Sequence, residues 1–554
     1  MLCLFLTILC IKGSVAENGP LVNTSLGQIR GFYTTSFEGR TFSAFEGIPY
    51  AKPPIGDLRF EPPQNVPPWN GVLNANKQYV CKQVDHPFLG LGKSTEDCLY
   101  LNVYVPKMQI STDDNYDVIV NIHGGAFMMG ASRAFAGPRL LMDRDIIYVN
   151  MNYRLGILGF LSTEDNVLPG NNGLKDQQHS LKWVQAHIKQ FGGNSKSVTL
   201  MGASAGGASV HFHYFSPQSK GLFHRGISQS GNALMPWAIQ EGALQKARTL
   251  AASLNCEESD TRSLVKCLKS IPADDLVNQT YSFYHLGELP LAPFAPVVEV
   301  ESESAFLTKH PYFQLRDGDV NDVPWLTWIV TDEGNVIALM LHQFVDKVLK
   351  YWKAFAEYLF DYKYACADDQ KDKVAQQIQS FYFENEQFSQ INISSLIKIF
   401  GDRYFNVGFE TAVHIQAAVT NSSVYAAIYG YKPSLTFMKN VGIDDVEGVG
   451  HGDEGLLIHD IHLNISILPE DLFLSKSDVQ MKEVLLDLLS SFAMNGKPRS
   501  RRVEWEPLTP SSPKYLLIKD VDNISMSEIS ELSPRRFWEG LTLSENEQFS
   551  KQIH

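Results

Sequence analysis

Five small residues caught between an apolar strand and an apolar helix constrain this chain more than any other feature. Residues 197–201 (SVTLM) read as a strand, Gly202-Ala203-Ser204-Ala205-Gly206 follows at once, and a helix of small residues is expected over Ala205–Phe215. A strand that becomes a helix within so few residues forces the apical serine into a strained backbone conformation. The flanking glycines remove side chains that would collide there. The hydroxyl is then exposed at the carboxyl end of a sheet, beside a helix N-terminus whose N–H groups favour negative charge. A glycine-rich turn with no function fits the five residues taken alone. The strand before them and the helix after them are what point to a nucleophile.

A second loop supplies what such a nucleophile needs. His123-Gly124-Gly125-Ala126-Phe127 follows the continuous apolar strand 118–122 (VIVNI). Acyl transfer passes through a tetrahedral oxyanion, which requires preorganised donors. Backbone N–H groups serve where no side chain blocks the approach. The expected donors are Gly125, Ala126 and Ala205, the residue after the serine.

Further strands are expected at 146–151 (IIYVNM), 325–331 (WLTWIVT) and Val424–Tyr429, with helical spacing after Asn172 that Gly192 and Gly193 stop. Strands alternating with helices imply an α/β fold: a mostly parallel central sheet flanked by helices. Residues 335 to 420 read mainly helical, as excursions from that sheet. With no internal repeat or linker, 17–554 is expected to form a single domain.

The net charge of -14 argues against a nucleic-acid partner, because binding phosphates needs an excess of Lys and Arg. The short apolar run at the N-terminus, with small Ser14 and Ala16, reads as a signal peptide over 1–16. No later segment looks membrane-spanning, so a secreted, extracellular protein is expected. Close spacing suggests disulfides Cys81–Cys98 and Cys256–Cys267, with Cys366 free. No zinc-site spacing is present. Six sequons, at Asn23, Asn278, Asn392, Asn421, Asn464 and Asn523, mark candidate glycosylation sites.

Longer stretches carry a resemblance. FEGIPYAKPPIGDLRF at 45–60, EDCLYLNVYVP at 96–106, NYRLGILGF at 152–160, GNNGLKDQ at 170–177 and FAMNGKP at 492–498 resemble signatures of the type-B carboxylesterase/lipase family, in particular the insect carboxylesterases. The resemblance spans nearly the whole chain after residue 16. It implies the α/β-hydrolase fold, no cofactor, a small-molecule ester as substrate, and disulfides at the pairs that spacing suggests.

It also selects between candidates that the residues leave open. In this fold the triad runs Ser, acid, His along the chain. Asp332 and Glu333 both close the strand 325–331, and the family's DEG pattern assigns Glu333. His342, His414, His451, His459, His462 and His554 lie downstream. His451 sits in a glycine-rich loop that can carry an imidazole over the sheet edge, and it matches the family motif. His211 and His213 read as packing or surface residues. The expected mechanism is two-step acyl transfer by Ser204, Glu333 and His451, with activity falling below about pH 6–7 as the histidine protonates.

Ser230 resembles a family serine that stands near the triad. Trp237 and Phe294 resemble residues lining the acyl side of the gorge, and both also fit as core aromatics. Ala126 replaces a commoner glycine. Ala203 stands where many relatives carry Glu. The 81–98 loop has no tryptophan to hold choline by cation–π contact. The missing tryptophan disfavours acetylcholine as substrate, and the resemblance implies a carboxylesterase for small lipophilic esters. A narrower juvenile hormone or odorant esterase ranks second, and a catalytically inactive adhesion relative ranks third.

Overall fold

The computed structural model describes residues 19–85, 89–256, 259–383, 393–440, 448–462, 474–500 and 502–546. The expected signal segment, Asn392, Asn464 and His554 lie outside them. Among the described residues, an eleven-stranded sheet organises the chain. In chain order its strands are β1 (Phe32–Thr35), β2 (Thr41–Pro49), β3 (Tyr100–Val105), β4 (Tyr116–Ile122), β5 (Ile147–Met151), β6 (Gly193–Ala203), β7 (Arg225–Gln229), β8 (Trp325–Val330), β9 (Val424–Tyr429), β10 (Lys514–Ile518) and β11 (Ile524–Glu528). Across the sheet the order is β11-β10-β9-β8-β7-β6-β4-β5-β3-β2-β1.

The strands from β5 across to β10 are parallel. Antiparallel strands close both edges. The sheet is thus mostly parallel, as expected of its continuous apolar runs, which suit strands covered on both faces. Residues 21–30 and 72–74 form a separate three-stranded sheet.

Alternation along the strands divides the core into two layers. Val118, Val120 and Ile122 of β4 face one layer, together with Val198 and Leu200 of β6. Ile119 and Met201 face the other. Helices α1 (Asn172–His187) and α2 (Ala205–Phe215) cover the first layer through Leu174, Leu181, Val184, Ala208 and Phe212. A long helix, Lys476–Asn495, covers the second through Met481, Leu485, Leu489 and Phe492. Each fully buried side chain of this kind contributes about 1.5–3 kcal/mol. Ser475 and Asp478 form a capping box at the start of that helix, and Gly496, at φ 69°, ends it.

Both expected disulfides are present, with Cα–Cα distances of 4.9 Å for Cys81–Cys98 and 5.7 Å for Cys256–Cys267. Cys366 is a buried free thiol. Replacing Cys81 and Cys98 together by alanine is expected to destabilise the protein by about 3 kcal/mol, because the unfolded chain regains the freedom of that loop. Denaturant titration reads the change as a lower midpoint. An unmoved midpoint would show that the bridge adds nothing.

No helix among the described residues is long and apolar enough to cross a membrane. Asn23, Asn278, Asn421 and Asn523 are exposed.

Candidate active site

The sheet reverses its winding between β4 and β6, since β5 lies on one side of β4 and β6 on the other. Clefts form at the carboxyl ends of strands at such a switch point. Ile122 pairs with Gly202, so the loops leaving β4 and β6 emerge side by side.

Ser204 stands at the apex of the β6–α2 turn, with φ 57° and ψ -124°. Its N–H donates to the Gln229 carbonyl at 2.8 Å, and its carbonyl accepts from Ala208 N–H at 2.9 Å. The two flanking glycines are required by close approach. A Cβ on Gly206 would lie 2.0 Å from the Ile122 carbonyl oxygen, and one on Gly202 would lie 2.4 Å from the Gly206 backbone.

The loop after β4 is strained where it turns. Gly125 has φ 106°, and the non-glycine residues Ala126 and Phe127 have φ 54° and 61°. Such a conformation costs about 1–3 kcal/mol per residue, so surrounding bonds must hold it. Met128 and Met129 N–H donate to the Gly125 carbonyl at 2.9 and 3.0 Å. His123 Nδ1 bonds the Gly124 carbonyl at 2.8 Å, and the Tyr153 hydroxyl donates to the His123 carbonyl at 2.9 Å. The His123 ring stacks on Tyr153, and burial pushes its pKa down to about 4, so it stays neutral. The N–H groups of Gly125, Ala126 and Ala205 donate to no acceptor among the described residues. Ala205 follows Ser204 directly, and Gly125 and Ala126 line a cavity of about 300 Å³ with it.

Glu333 and His451 meet across elements far apart in sequence. Asp332 N–H donates to the Val449 carbonyl at 3.0 Å, and Val449 N–H donates to Thr331 Oγ1 at 3.1 Å. These bonds tie the glycine-rich loop to the end of β8. Glu333 is buried. Its Oε1 accepts from Val330 N–H at 3.0 Å, and its Oε2 lies 2.6 Å from His451 Nδ1. Asp332 is half-buried and carries the loop through its backbone. Burial disfavours the His451 imidazolium, but the Glu333 carboxylate bonded to it more than offsets this, and the pKa is raised above its ordinary value. His451 lines the same cavity as Ser204.

Two of the other candidate histidines are occupied elsewhere. His414 Nε2 meets the Tyr515 hydroxyl at 2.9 Å, and His462 pairs with Asp460 at 2.9 Å. His459 lies on the cavity wall beside Tyr148, and burial lowers its pKa to about 4. His211 and His213 are both fully buried packing residues: His211 stacks on Trp325, and His213 bonds Ser219.

Ser230 lines the cavity at φ 49°, and its Oγ has no partner among the described residues. Trp237 and Phe294 do not reach the wall. Trp237 stands behind Phe405 at 6.0 Å between ring centroids and donates to the Tyr404 carbonyl, while Phe294 packs edge-on against Phe283. Apolar lining comes instead from Leu291, Val336, Leu339, Met340, Phe405 and Phe437. The Phe405 ring lies 4.7 Å from that of His451.

Glu454 is a further residue that spacing alone does not single out. It is fully buried on the cavity wall, accepts from Trp328 Nε1 at 3.1 Å, and keeps Oε2 unpartnered among the described residues. Burial and the nearby Glu333 charge push its pKa up to about 7. Its only sequence signal is its place three residues after His451.

Serine, carboxylate-bound imidazole and free N–H groups around one apolar cavity are the parts that acyl transfer requires. Comparison with known proteins points the same way. Residues 18–538 match the carboxylesterase family. The chain is 40% identical to the carboxylic ester hydrolase of Bombus ignitus over 96% of its own length and 95% of that protein. It is 39% identical to venom carboxylesterase-6 of Apis mellifera, covering 95% of each. It is also similar to the crystal structure of juvenile hormone esterase from Manduca sexta with OTFP covalently attached, at a TM-score of 0.85 and 26% identity, over 94% of this chain and 99% of that one.

Proposed function

Since the chain belongs to the carboxylesterase family and is a carboxylic ester hydrolase, we propose that it cleaves small lipophilic esters through a Ser204–His451–Glu333 triad and an acyl-enzyme. The observation that carries this reading is the 2.6 Å contact between Glu333 and His451 on the cavity that Ser204 also lines. His451 Nε2 takes the Ser204 proton as Oγ attacks the ester carbonyl. The oxyanion is held by the N–H groups of Gly125, Ala126 and Ala205. The carbon–oxygen bond to the alcohol then breaks, and the alcohol leaves with the proton from His451. Water repeats the sequence on the acyl-enzyme, releasing the acid and free Ser204. Glu333 holds the Nδ1–H tautomer and stabilises the imidazolium.

The apolar side chains of Leu291, Val336, Leu339, Met340, Phe405 and Phe437, which share the wall with Asp453 and Glu454, support lipophilic esters as the substrate class. The reading includes export from the cell and glycosylation, supported by two disulfides and four exposed sequons. An organophosphonate probe tests the nucleophile: one label per chain is expected, on Ser204 by peptide mass spectrometry. A label elsewhere, or none, sinks the assignment.

The same geometry sets the pH dependence. His451 must be neutral to act as base, and its pKa is raised. Activity is therefore lost as pH falls through that raised value, so the acid limb of kcat/KM lies above about pH 6.5, the ordinary histidine value. The contact with Glu333 moves the limb upward from the range expected for an unperturbed histidine. A profile flat down to pH 5 would remove His451 from the base role.

A further inference from the structure

A second cavity, of about 110 Å³, shares no lining residue with the first. It lies on the far side of the π-helical turn Asp402–Asn406, which places Phe405 in the catalytic cavity and Arg403 in this one. Its walls bring together charges of both signs. Arg403 is 5% exposed, donates through Nη1 to Glu545 at 2.6 Å and through Nε to the Phe360 carbonyl, and leaves Nη2 buried with no partner among the described residues. Lys246 is 6% exposed. It reaches Gln240 Oε1 only at 3.3 Å, lies over the Tyr364 ring, and makes no ion pair among the described residues.

Asp361 faces the same space at φ 49° and has neither a hydrogen bond nor an ion pair to a described residue. Glu241 lies beside it and accepts from the Ser544 hydroxyl. Burying charges without contact partners is expensive. Here Lys246 and Asp361 line one cavity without an ion pair to each other or to another described residue. Arg403, although paired with Glu545, keeps Nη2 free of any described partner. A single-sign ligand would thus satisfy one side and leave the other bare. Only a molecule carrying both charges completes both. The remaining wall, with Met235, Ile239, Ala292 and Val407, is apolar and close.

We propose that this cavity binds a small zwitterion of the α-amino-acid class. Its carboxylate meets Arg403 Nη2 and Lys246 Nζ, its ammonium meets Asp361, and a short aliphatic side chain rests on the apolar wall. Burial raises Asp361 to about 6 and lowers Lys246 to about 8, so both groups are held with their charges weakly supported until a counter-charge arrives. This site is independent of the catalytic reading, and its test does not measure ester hydrolysis.

Calorimetric titration of the full-length protein with L-alanine, with sodium acetate and ethylammonium as single-charge controls, decides the matter. L-alanine is expected to bind one per chain and more tightly than either control. Lys246→Met and Asp361→Asn are each expected to weaken it about tenfold or more, the loss of one charge-assisted contact. Absence of binding to the wild type overturns the proposal. So does acetate binding as tightly as alanine, or unweakened binding in both variants. The comparison of the three compounds on the wild type stands even where a variant does not fold.

Discussion

Replacing Ser204 by alanine lowers kcat/KM for a short aryl ester by roughly 10⁵–10⁶-fold, the scale set by removing the serine nucleophile of a comparable triad. The fall is not complete. The N–H groups of Gly125, Ala126 and Ala205 and the cavity itself remain, and a residual acceleration of about 10³–10⁴ over water is expected from them. Protein stability should change little, because Ser204 is only half-buried and its side chain makes no hydrogen bond to a described residue. The measurement is hydrolysis by wild type and variant side by side, with thermal unfolding as the control for folding. Equal activity in the two would mean that the turn after β6 does not carry the nucleophile.

The second large effect follows from how Glu333 is held. Its Oε1 accepts from Val330 N–H while its Oε2 faces His451 Nδ1. In Glu333→Gln the amide oxygen is drawn to Val330 N–H, because a buried N–H requires an acceptor. The amide NH2 then faces Nδ1 and donates to it. That fixes the tautomer with its proton on Nε2, toward Ser204, which cannot take the serine proton. A loss of about 10⁴-fold in kcat is expected, with the fold intact. Glu333→Gln should also move the acid limb to lower pH, because the charge that raises the His451 pKa is gone. A modest loss with an unmoved limb would place Glu333 in a structural role only.

The parts of the site that are legible in the sequence are those where chemistry and backbone geometry demand the same residues. Gly202, Gly206 and Gly124 must lack side chains because the backbone passes within contact of them, and Gly125 turns at a φ that few other residues tolerate. Continuous apolar runs such as Val424–Tyr429 reveal buried parallel strands at their true limits. The β6 strand begins earlier than its apolar run, at Gly193, because backbone pairing with Tyr116 extends it through polar residues.

The cavity wall is the part that cannot be read in this way. Phe405 comes from a π-helical turn, Leu291 from an irregular segment and Met340 from the short helix Asn335–Leu341. None of these has a period or a motif, and their convergence is a property of packing alone. Trp237 illustrates the converse: its size and place in the sequence suit a lining role, yet its indole N–H finds the Tyr404 carbonyl and the ring turns behind Phe405.

The order of strands across the sheet has a consequence for how activity arises during synthesis. β9 stands between β8 and β10, and β10 is drawn from Lys514–Ile518, well after the loop that carries His451. The platform under Glu333 and His451 therefore lacks one neighbour until residues 514–518 have left the ribosome. The pairing of Ile122 with Gly202 likewise joins strands that are far apart in the chain, and such non-local contacts form slowly because the loop must close before anything rewards it. A nascent chain stopped short of β10 would display an unpaired edge in place of a working centre. Hydrolysis thus awaits the arrival of β10, and the appearance of activity in a synthesis time course marks completion of the sheet.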